Sequence, residues 1–447
     1  MEFAKFKDLL FKKAKSEGFE DCEVYFINRE SLSISVYDQE VEKYNLNKTF
    51  GLSFRGMVDG KMGYSFTEII DEDAVDMLVK NAKDIAMVIE SEDVQFLYGG
   101  DKEYADVNSY STELENIDTE KLIDIAMNME VEAKKYSDKV DNVSGCSISY
   151  SNSNYGIYNT KGLALNNKMN LLSAYVVPVV KDGENKFNGA GYAIAYSIDE
   201  LDAKKIAKDG VEDALEKIGG KSIPTGKYKA IINNEAMVSL LSTFSGIFNA
   251  EAAQRGLSLL KDKEGEMIAS DVVTIIDDPH LKKGLASTPF DDEGVATYKK
   301  EVVSNGKLNT LLYNLKTAYK AGKKSTGSGF KASYSGSLGT DVTNFYLEKG
   351  SKSLDKFMEE INEGVLITEF AGLHSGANSI TGDFSLSAKG FYVEDGKKSY
   401  PIEQITVAGN FFELLKIIED VANDLKFPMS SVGSPSVKVK ELSIAGK

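Results

Sequence analysis

The chain has 447 residues, enough for two or three domains with sizeable cores. Its net charge of −17 is spread along the length, and phosphate binding draws on clustered Lys and Arg, so a primary role on nucleic acid or an anionic membrane is excluded. Two cysteines, Cys22 and Cys146, exclude a disulfide framework and a thiolate metal site, and no apolar run approaches the ~18 residues needed to span a bilayer. Met1-Glu-Phe-Ala-Lys5 lacks the basic-then-apolar layout of a signal peptide, so the expectation is a globular cytoplasmic protein.

Residues 1 to 90 read as a helix, several strands and a helix. Phe3, Phe6, Leu10 and Ala14 form the stripe of the first helix. Cys22–Ile27, Leu32–Val36 and Gly51–Arg55 alternate apolar with polar residues, the period of a half-buried strand. Asp59-Gly60 is a hairpin signal with a return strand over Met62–Phe66, and Asp71–Ile89 is an amphipathic helix. Residues 91 to 118 have no sustained period and read as an acidic connector.

From Asp118 the same order returns. A helix carries Leu122, Ile125, Ala126, Met129 and Ala133, and strands follow at Cys146–Tyr150, Tyr155–Tyr158, Leu163–Leu165 and Leu171–Val180. Asp182-Gly183 marks a hairpin with a return strand over Gly191–Tyr196, and Asp199 is placed to cap a closing helix reaching Ile218. The repeated order predicts a duplicated architecture in which each cysteine opens a first strand as a small core residue.

Gly219-Gly220-Lys-Ser-Ile-Pro-Thr-Gly226 is the strongest linker signal. The three expected segments are therefore 1–90, 91–220 and 221–447. Beyond the linker comes a strand, Tyr228–Ile232, and then a helical run with Met237, Leu240, Leu241, Phe244, Ile247 and Phe248 on one stripe, ending at Gly256. A strand at Val272–Ile276, a helix near Thr310–Ala321, strands at Val365–Phe370 and Gly390–Val393, a helix from Phe411 to Leu425 and a last strand at Val437–Ile444 complete the half. Helices mixed with antiparallel hairpins predict an α+β fold with a strand-rich C-terminal domain.

The chain has two histidines, His280 and His374, and neither stands at a short metal-ligand spacing. A set of His280 with Asp277, Asp278 and Asp291 is the best independent metal site the residues offer. The acidic turns Asp277-Asp278 and Asp291-Asp292-Glu293 could also take an oxygen-liganded cation, although such turns are usually structural. His374 and Ser375, near Thr381-Gly-Asp383, lack the elbow of a nucleophilic serine. Gly322–Gly329 fails the phosphate-loop template because Thr317 stands where its first glycine belongs.

Several stretches together carry a resemblance. Phe290-Asp-Asp-Glu-Gly294, Ser325-Thr-Gly-Ser-Gly329, Thr381-Gly-Asp-Phe-Ser385, Pro401–Asn410 and Ile444-Ala-Gly446, in this order and spacing, resemble the TldD/PmbA family over essentially the whole chain. Thr381-Gly-Asp383 and Ile405–Asn410 are most similar to the PmbA (TldE) branch. In the TldD branch, a zinc peptidase, an HExxxH motif lies on the helix after the first strand of the C-terminal domain, with a later cysteine as a further ligand. In register with Gly256 and Gly265-Glu266, those positions here are Leu241, Ser242 and Gly246, and no cysteine follows Cys146. Leucine and glycine side chains cannot donate a lone pair to zinc, and serine is a poor substitute for a carboxylate base.

The resemblance thus implies a metal-free subunit, itself binding no cofactor, beside a TldD-like partner that holds the zinc. The pair would enclose a chamber admitting extended, unfolded peptides, such as antibiotic precursors or short-lived antitoxins. The family's older name, modulator of DNA gyrase, finds no support in a chain this acidic. Asp291, Asp292, Glu293, His374, Thr381, Asp383 and Ser385 are the expected chamber-lining residues. The alternatives are a homodimeric peptide-binding scaffold and an independent metallopeptidase built on the His280 set.

Overall fold

A computed structural model describes residues 1–90 and 93–447. Residues 91 and 92, the first two of the expected connector, lie outside the described residues. The first unit is α1 (Phe3–Ser16), β1 (Cys22–Tyr37), β2 (Glu40–Val58), β3 (Lys61–Thr67) and α2 (Glu72–Val88). The second is α3 (Thr119–Tyr136), β4 (Val140–Asn159), β5 (Ala164–Asp182), β6 (Asn185–Asn188), β7 (Gly191–Ala195) and α4 (Ala203–Leu215).

The two units form one antiparallel sheet, β3-β2-β1-β4-β5-β6, with β7 beside β6 on the same edge of β5. Their opening strands pair with each other from Glu23↔Asn159 to Ser35↔Ser147, so the strand order mirrors itself about the β1–β4 seam. Four helices cover one face. α1 and α2 pack on Val24, Phe26, Leu52 and Phe54, while α3 and α4 pack on Leu32, Ile34, Ile148, Leu172 and Ala174.

The duplication extends to a detail of packing. A Cβ on Gly63 of β3 would lie 1.8 Å from the Ala82 carbonyl oxygen of α2, and one on Gly191 of β7 would lie 1.8 Å from the Ile206 oxygen of α4. In each unit the last strand approaches its closing helix so closely that only glycine fits.

The strands are longer than the alternation predicts. Polar positions such as Asn28 and Asn154 fall in the gap between the two helix pairs, where the backbone ladder continues without needing an apolar side chain. Cys146 consequently sits inside β4 and does not open it. The β1–β2 turn has Asp38 and Gln39 at φ 50° and 62°, as a two-residue hairpin of this hand requires. The buried Glu130 carboxylate of α3 accepts from both of their backbone N–H groups at 2.8 Å. α4 is capped by Asp202, whose side chain accepts from the Lys205 N–H at 3.0 Å, and not by Asp199, which falls in a separate 3₁₀ turn.

The C-terminal half holds β8 (Gly226–Ile232), α5 (Asn234–Phe244), α6 (Ala250–Gln254), β9 (Ile275–Asp277), β10 (Lys300–Ser304), β11 (Lys307–Leu308) and α7 (Leu315–Ala321). It continues with β12 (Gly329–Lys331), β13 (Leu338–Thr340), β14 (Phe345–Leu347), α8 (Leu354–Ile361), β15 (Gly364–Ala371), α9 (Leu373–Gly376) and β16 (Asp383–Glu394). The chain finishes with β17 (Lys397–Asn410), α10 (Phe411–Lys416), β18 (Ile418–Val421), β19 (Val432–Gly433) and β20 (Val437–Ala445). Strands β17-β16-β15-β8-β20 form a sheet that closes on itself where Thr406–Ala408 pairs with Ala445–Ser443, and β18 lies outside the ring.

α5 plugs this ring. Phe244 is 0% exposed and stacks on Phe411 with ring centroids 4.6 Å apart, within a core that also takes Ile232, Val365, Ile367, Phe384 and Val407. Several expected helices are shorter than the sequence suggests, and the one expected near Thr310–Ala321 begins at Leu315, after the Asn314 cap. The Phe411–Leu425 run ends at Lys416, because Ile418–Val421 is drawn into pairing with β20. The Asn234–Arg255 run breaks after Phe244 into a 3₁₀ turn and the short α6, with Asn249 extended between them. Here Thr243 and Ser245 bond back to backbone carbonyls, and Gly246 and Asn249 are poor helix formers. The architecture is the expected α+β, and among the described residues no helix is long and apolar enough to cross a membrane.

Candidate functional site

α5 is set by Asn233, whose side chain accepts from the Ala236 N–H at 2.8 Å. That cap directs Leu240, Leu241 and Phe244 into the core and leaves Ser242 and Gly246 exposed. Leu241 is 1% exposed, and space beside Gly246 is open. The three positions thus do not share a surface. One lies in the apolar core and two face solvent, and since leucine and glycine have no side-chain donor atom the three positions offer only the Ser242 hydroxyl. The residues present do not fit a zinc ion.

The acidic turn Asp291–Glu293 lies between the two halves of the chain. Asp291, Asp292 and Glu293 are 0%, 8% and 2% exposed, so within this chain they face the interior and line no open surface. Asp291 accepts from the N–H groups of Glu293 (3.0 Å), Val295 (2.9 Å) and Gly329 (2.8 Å). Asp292 accepts from the Lys331 N–H and Glu293 from the Leu315 N–H, at 2.8 and 2.7 Å.

From the opposite side the N-terminal sheet contributes Glu23 and Arg55, paired at 2.6 Å. Lys331 stands above the Tyr25 ring, 4.5 Å from its centroid, and donates to the Ser53 hydroxyl at 3.1 Å. Four carboxylates thus share a buried layer with two cations. Burial pushes the Glu293 carboxyl up to about 7. Burial, and then the charge of Glu293, push Asp291 up as well, and burial with Arg55 nearby brings Lys331 down to about 8. This cluster joins the halves through charges that are mostly buried, with Lys331 half-buried at its edge. Glu23, Arg55 and Lys331 carry no sequence signal of membership, because they come from three distant segments.

The His280 set does not assemble. Asp277 pairs with Lys300 at 2.7 Å and accepts from Thr343, while Asp278 accepts from the His280 backbone N–H. The His280 ring lies 3.2 Å from the Thr297 hydroxyl. Among the described residues no three His, Cys, Asp or Glu side chains gather as a metal site would require, so this alternative lacks its geometry.

The remaining expected residues lie on one outer region. Asp383 accepts from the Thr381 hydroxyl (2.8 Å) and from the Asn410 side chain (2.9 Å). Those bonds, from Asn410 first, hold its carboxyl below the usual range. Ser385 is exposed on the same strand, and exposed His374 lies on the one-turn α9, whose Gly376 abuts the Ser385 carbonyl. Thr381, Asp383, Ser385 and His374 therefore remain available to a partner or peptide.

A cleft of about 880 Å³, with no signal in the sequence, opens at the other end of α5, between β7 with α4 and the strands of the C-terminal ring. Tyr192 of β7 donates to Glu235 at 2.8 Å there, and Lys426 pairs with the same carboxylate at 2.5 Å.

Three models of one family match the chain in order: PmbA/TldA metallopeptidase domain 1 over residues 22–86, the central domain over 112–218 and the C-terminal domain over 225–446. The chain is 28% identical to the metalloprotease PmbA of Escherichia coli O157:H7, over 97% of this chain and 93% of that one. A solved Thermotoga maritima structure carrying a DNA gyrase modulator name is 34% identical, with a TM-score of 0.92 over 99% of this chain and 100% of its own. TldE of Thermococcus kodakarensis, 23% identical, superposes with a TM-score of 0.90 over 99% of this chain and 100% of that one, a likeness of fold alone.

Proposed function

From the chain's membership of the PmbA/TldD family, which is metallopeptidase-like, we propose that it is the metal-free, non-catalytic subunit of a zinc peptidase pair whose other member is TldD-like. The pair handles unfolded peptides in the cytoplasm, and this chain supplies wall and partner surface while the other member supplies zinc. The observation that carries the reading is at α5. Where the peptidase branch places two histidines and a glutamate, this chain has Leu241 in the core and Ser242 and Gly246 on the surface. No histidine occurs anywhere from Gly226 to Pro279 to restore the site in another register. The absence of imidazole and carboxylate groups at these positions, and not an empty site, supports the assignment.

A homodimeric scaffold is the second reading, and β2 favours it. Residues 40–49 are exposed, with Tyr44 and Leu46 51% and 52% exposed, and β3 covers β2 only from Leu52 onward. The test is elemental analysis of the purified chain, alone and mixed with a TldD-like chain from the same cell, with an unstructured peptide as substrate. Cleavage appearing only on mixing is the expected result. Stoichiometric zinc and cleavage by the unmixed chain would overturn the assignment, and a stable self-dimer that takes up no TldD-like chain would favour the scaffold.

A further inference from the structure

We propose that the cleft beside β7 binds an extended, cationic peptide segment, which adds as a strand to the free edge of β7. The inference rests on the reading of this chain as a peptide-handling subunit and adds a site and a ligand class to it. Among the described residues β7 pairs with β5 alone, so its other edge presents unpaired backbone N–H and C=O groups. Tyr192, Ala193 and Ile194 place that edge in the cleft wall. A volume of about 880 Å³ is at the upper end of ordinary ligand pockets. The five residues of β7 offer about 17 Å of strand, enough for four or five residues of a partner. Main-chain pairing of this kind reads extension and leaves side chains to be discriminated by the walls.

The walls set the charge of the ligand. Carboxylates outnumber lysines there by eight to five. Four of the lysines are already engaged: Lys217 with Asp213, Lys389 with Glu369, Lys398 with Glu216 and Lys426 with Glu235. Asp202 is occupied as the cap of α4, and Glu200 pairs with Lys283 outside the cleft. Among the described residues the fifth lysine, Lys205, makes no ion pair and lies one turn before Asp209 on α4, and Asp209 and Glu403 are left facing the cleft with no lysine within ion-pair distance. A lysine or arginine on an added strand would find them, whereas an acidic side chain would meet repulsion from both walls.

The test uses the isolated, intact chain and fluorescence anisotropy with three dye-labelled, N-acetylated pentapeptides. One is Lys-Val-Thr-Val-Lys, the second has both lysines replaced by glutamate, and the third is the lysine peptide methylated on alternate backbone nitrogens. The lysine peptide is expected to bind at least tenfold tighter than the glutamate peptide, and methylation should abolish binding. The double variant Asp209→Asn with Glu403→Gln, both on exposed or half-exposed side chains, should weaken the lysine peptide roughly fivefold. Equal binding of the two charge forms, binding indifferent to methylation, or no binding would each overturn the proposal. Such a failure with cleavage on mixing retained leaves the subunit assignment standing, while binding without activity on mixing removes only that assignment.

Discussion

Replacing Glu293 by glutamine should remove a pH dependence of stability that its burial creates. The carboxyl is 2% exposed and burial raises it from 4.5 to about 7. Because the folded value lies above the unfolded one, folding takes up a proton between those limits. The stability Glu293 contributes is fully present below about pH 4.5 and is lost as pH rises through 7. At 1.36 kcal/mol per pH unit the full loss is about 3 kcal/mol, with the attraction of Arg55 already included in the shift. Glutamine keeps an oxygen for the Leu315 N–H, now 2.7 Å from the carboxylate, and carries no charge to bury. Urea unfolding of both proteins from pH 5 to 8 reads the effect in their difference, in which groups remote from the cluster cancel and the easing of Asp291, no longer raised by the Glu293 charge, is included. Relative to wild type, Glu293→Gln should gain about 1–3 kcal/mol between pH 5 and pH 8. A difference that stays flat across that range would refute the burial of Glu293 as the source of its raised value.

Other perturbations test the fold that carries the sites. Phe244→Ala removes a ring that is 0% exposed and stacked on Phe411, and should cost about 3–5 kcal/mol in urea unfolding; a loss under about 1 kcal/mol would contradict its place in the ring core. Leu241→His puts an imidazole into the same core and should cost about 2–5 kcal/mol by the same measurement, where an accessible position would tolerate it. Burial pushes both thiols up to about 12, so Cys22 and Cys146 should react with a thiol reagent only as the chain unfolds; fast stoichiometric labelling of the native protein would contradict this. Although burial opposes it, hydrogen bonds from Gln39, Lys134 and Asp38 hold the Glu130 carboxyl below its ordinary value. Its contribution is present above about pH 4.5 and is lost as pH falls through the folded value, so Glu130→Gln should cost about 1–2 kcal/mol near pH 7 and less in acid.

What could be read from the chain and what could not divide along the range of the forces involved. Amphipathic period is a local property, and it located α2 through Val75, Leu78, Val79, Ala82 and Ala86, which are buried, although Ile85 and Ile89 of the same expected stripe are not, Ile85 being 41% exposed. The duplicated order and the α+β class follow from such local signals strung together. Strand length does not, because Asn28 and Arg29 look like a break while the ladder on both sides of β1 carries them through. The end of α10 is equally nonlocal, since the residues after Lys416 have the helical period and join β20 only because β20 is adjacent. The same distinction separates the two kinds of site residue. At and just after α5 the chemistry of Leu241, Ser242 and Gly246 is legible without coordinates, because the missing lone pairs of leucine and glycine and the missing carboxylate of serine are properties of the residues. Asp291, Asp292 and Glu293 read as an acidic turn on a chamber wall. Their burial is made tolerable by backbone N–H groups of Val295, Gly329, Lys331 and Leu315 together with Arg55 and Lys331 arriving from segments far apart in the chain. A charge run whose partners are distant cannot be told from a surface run by spacing. The cleft beside β7 is the extreme case, since its main feature, a backbone edge that no strand covers, belongs to no side chain.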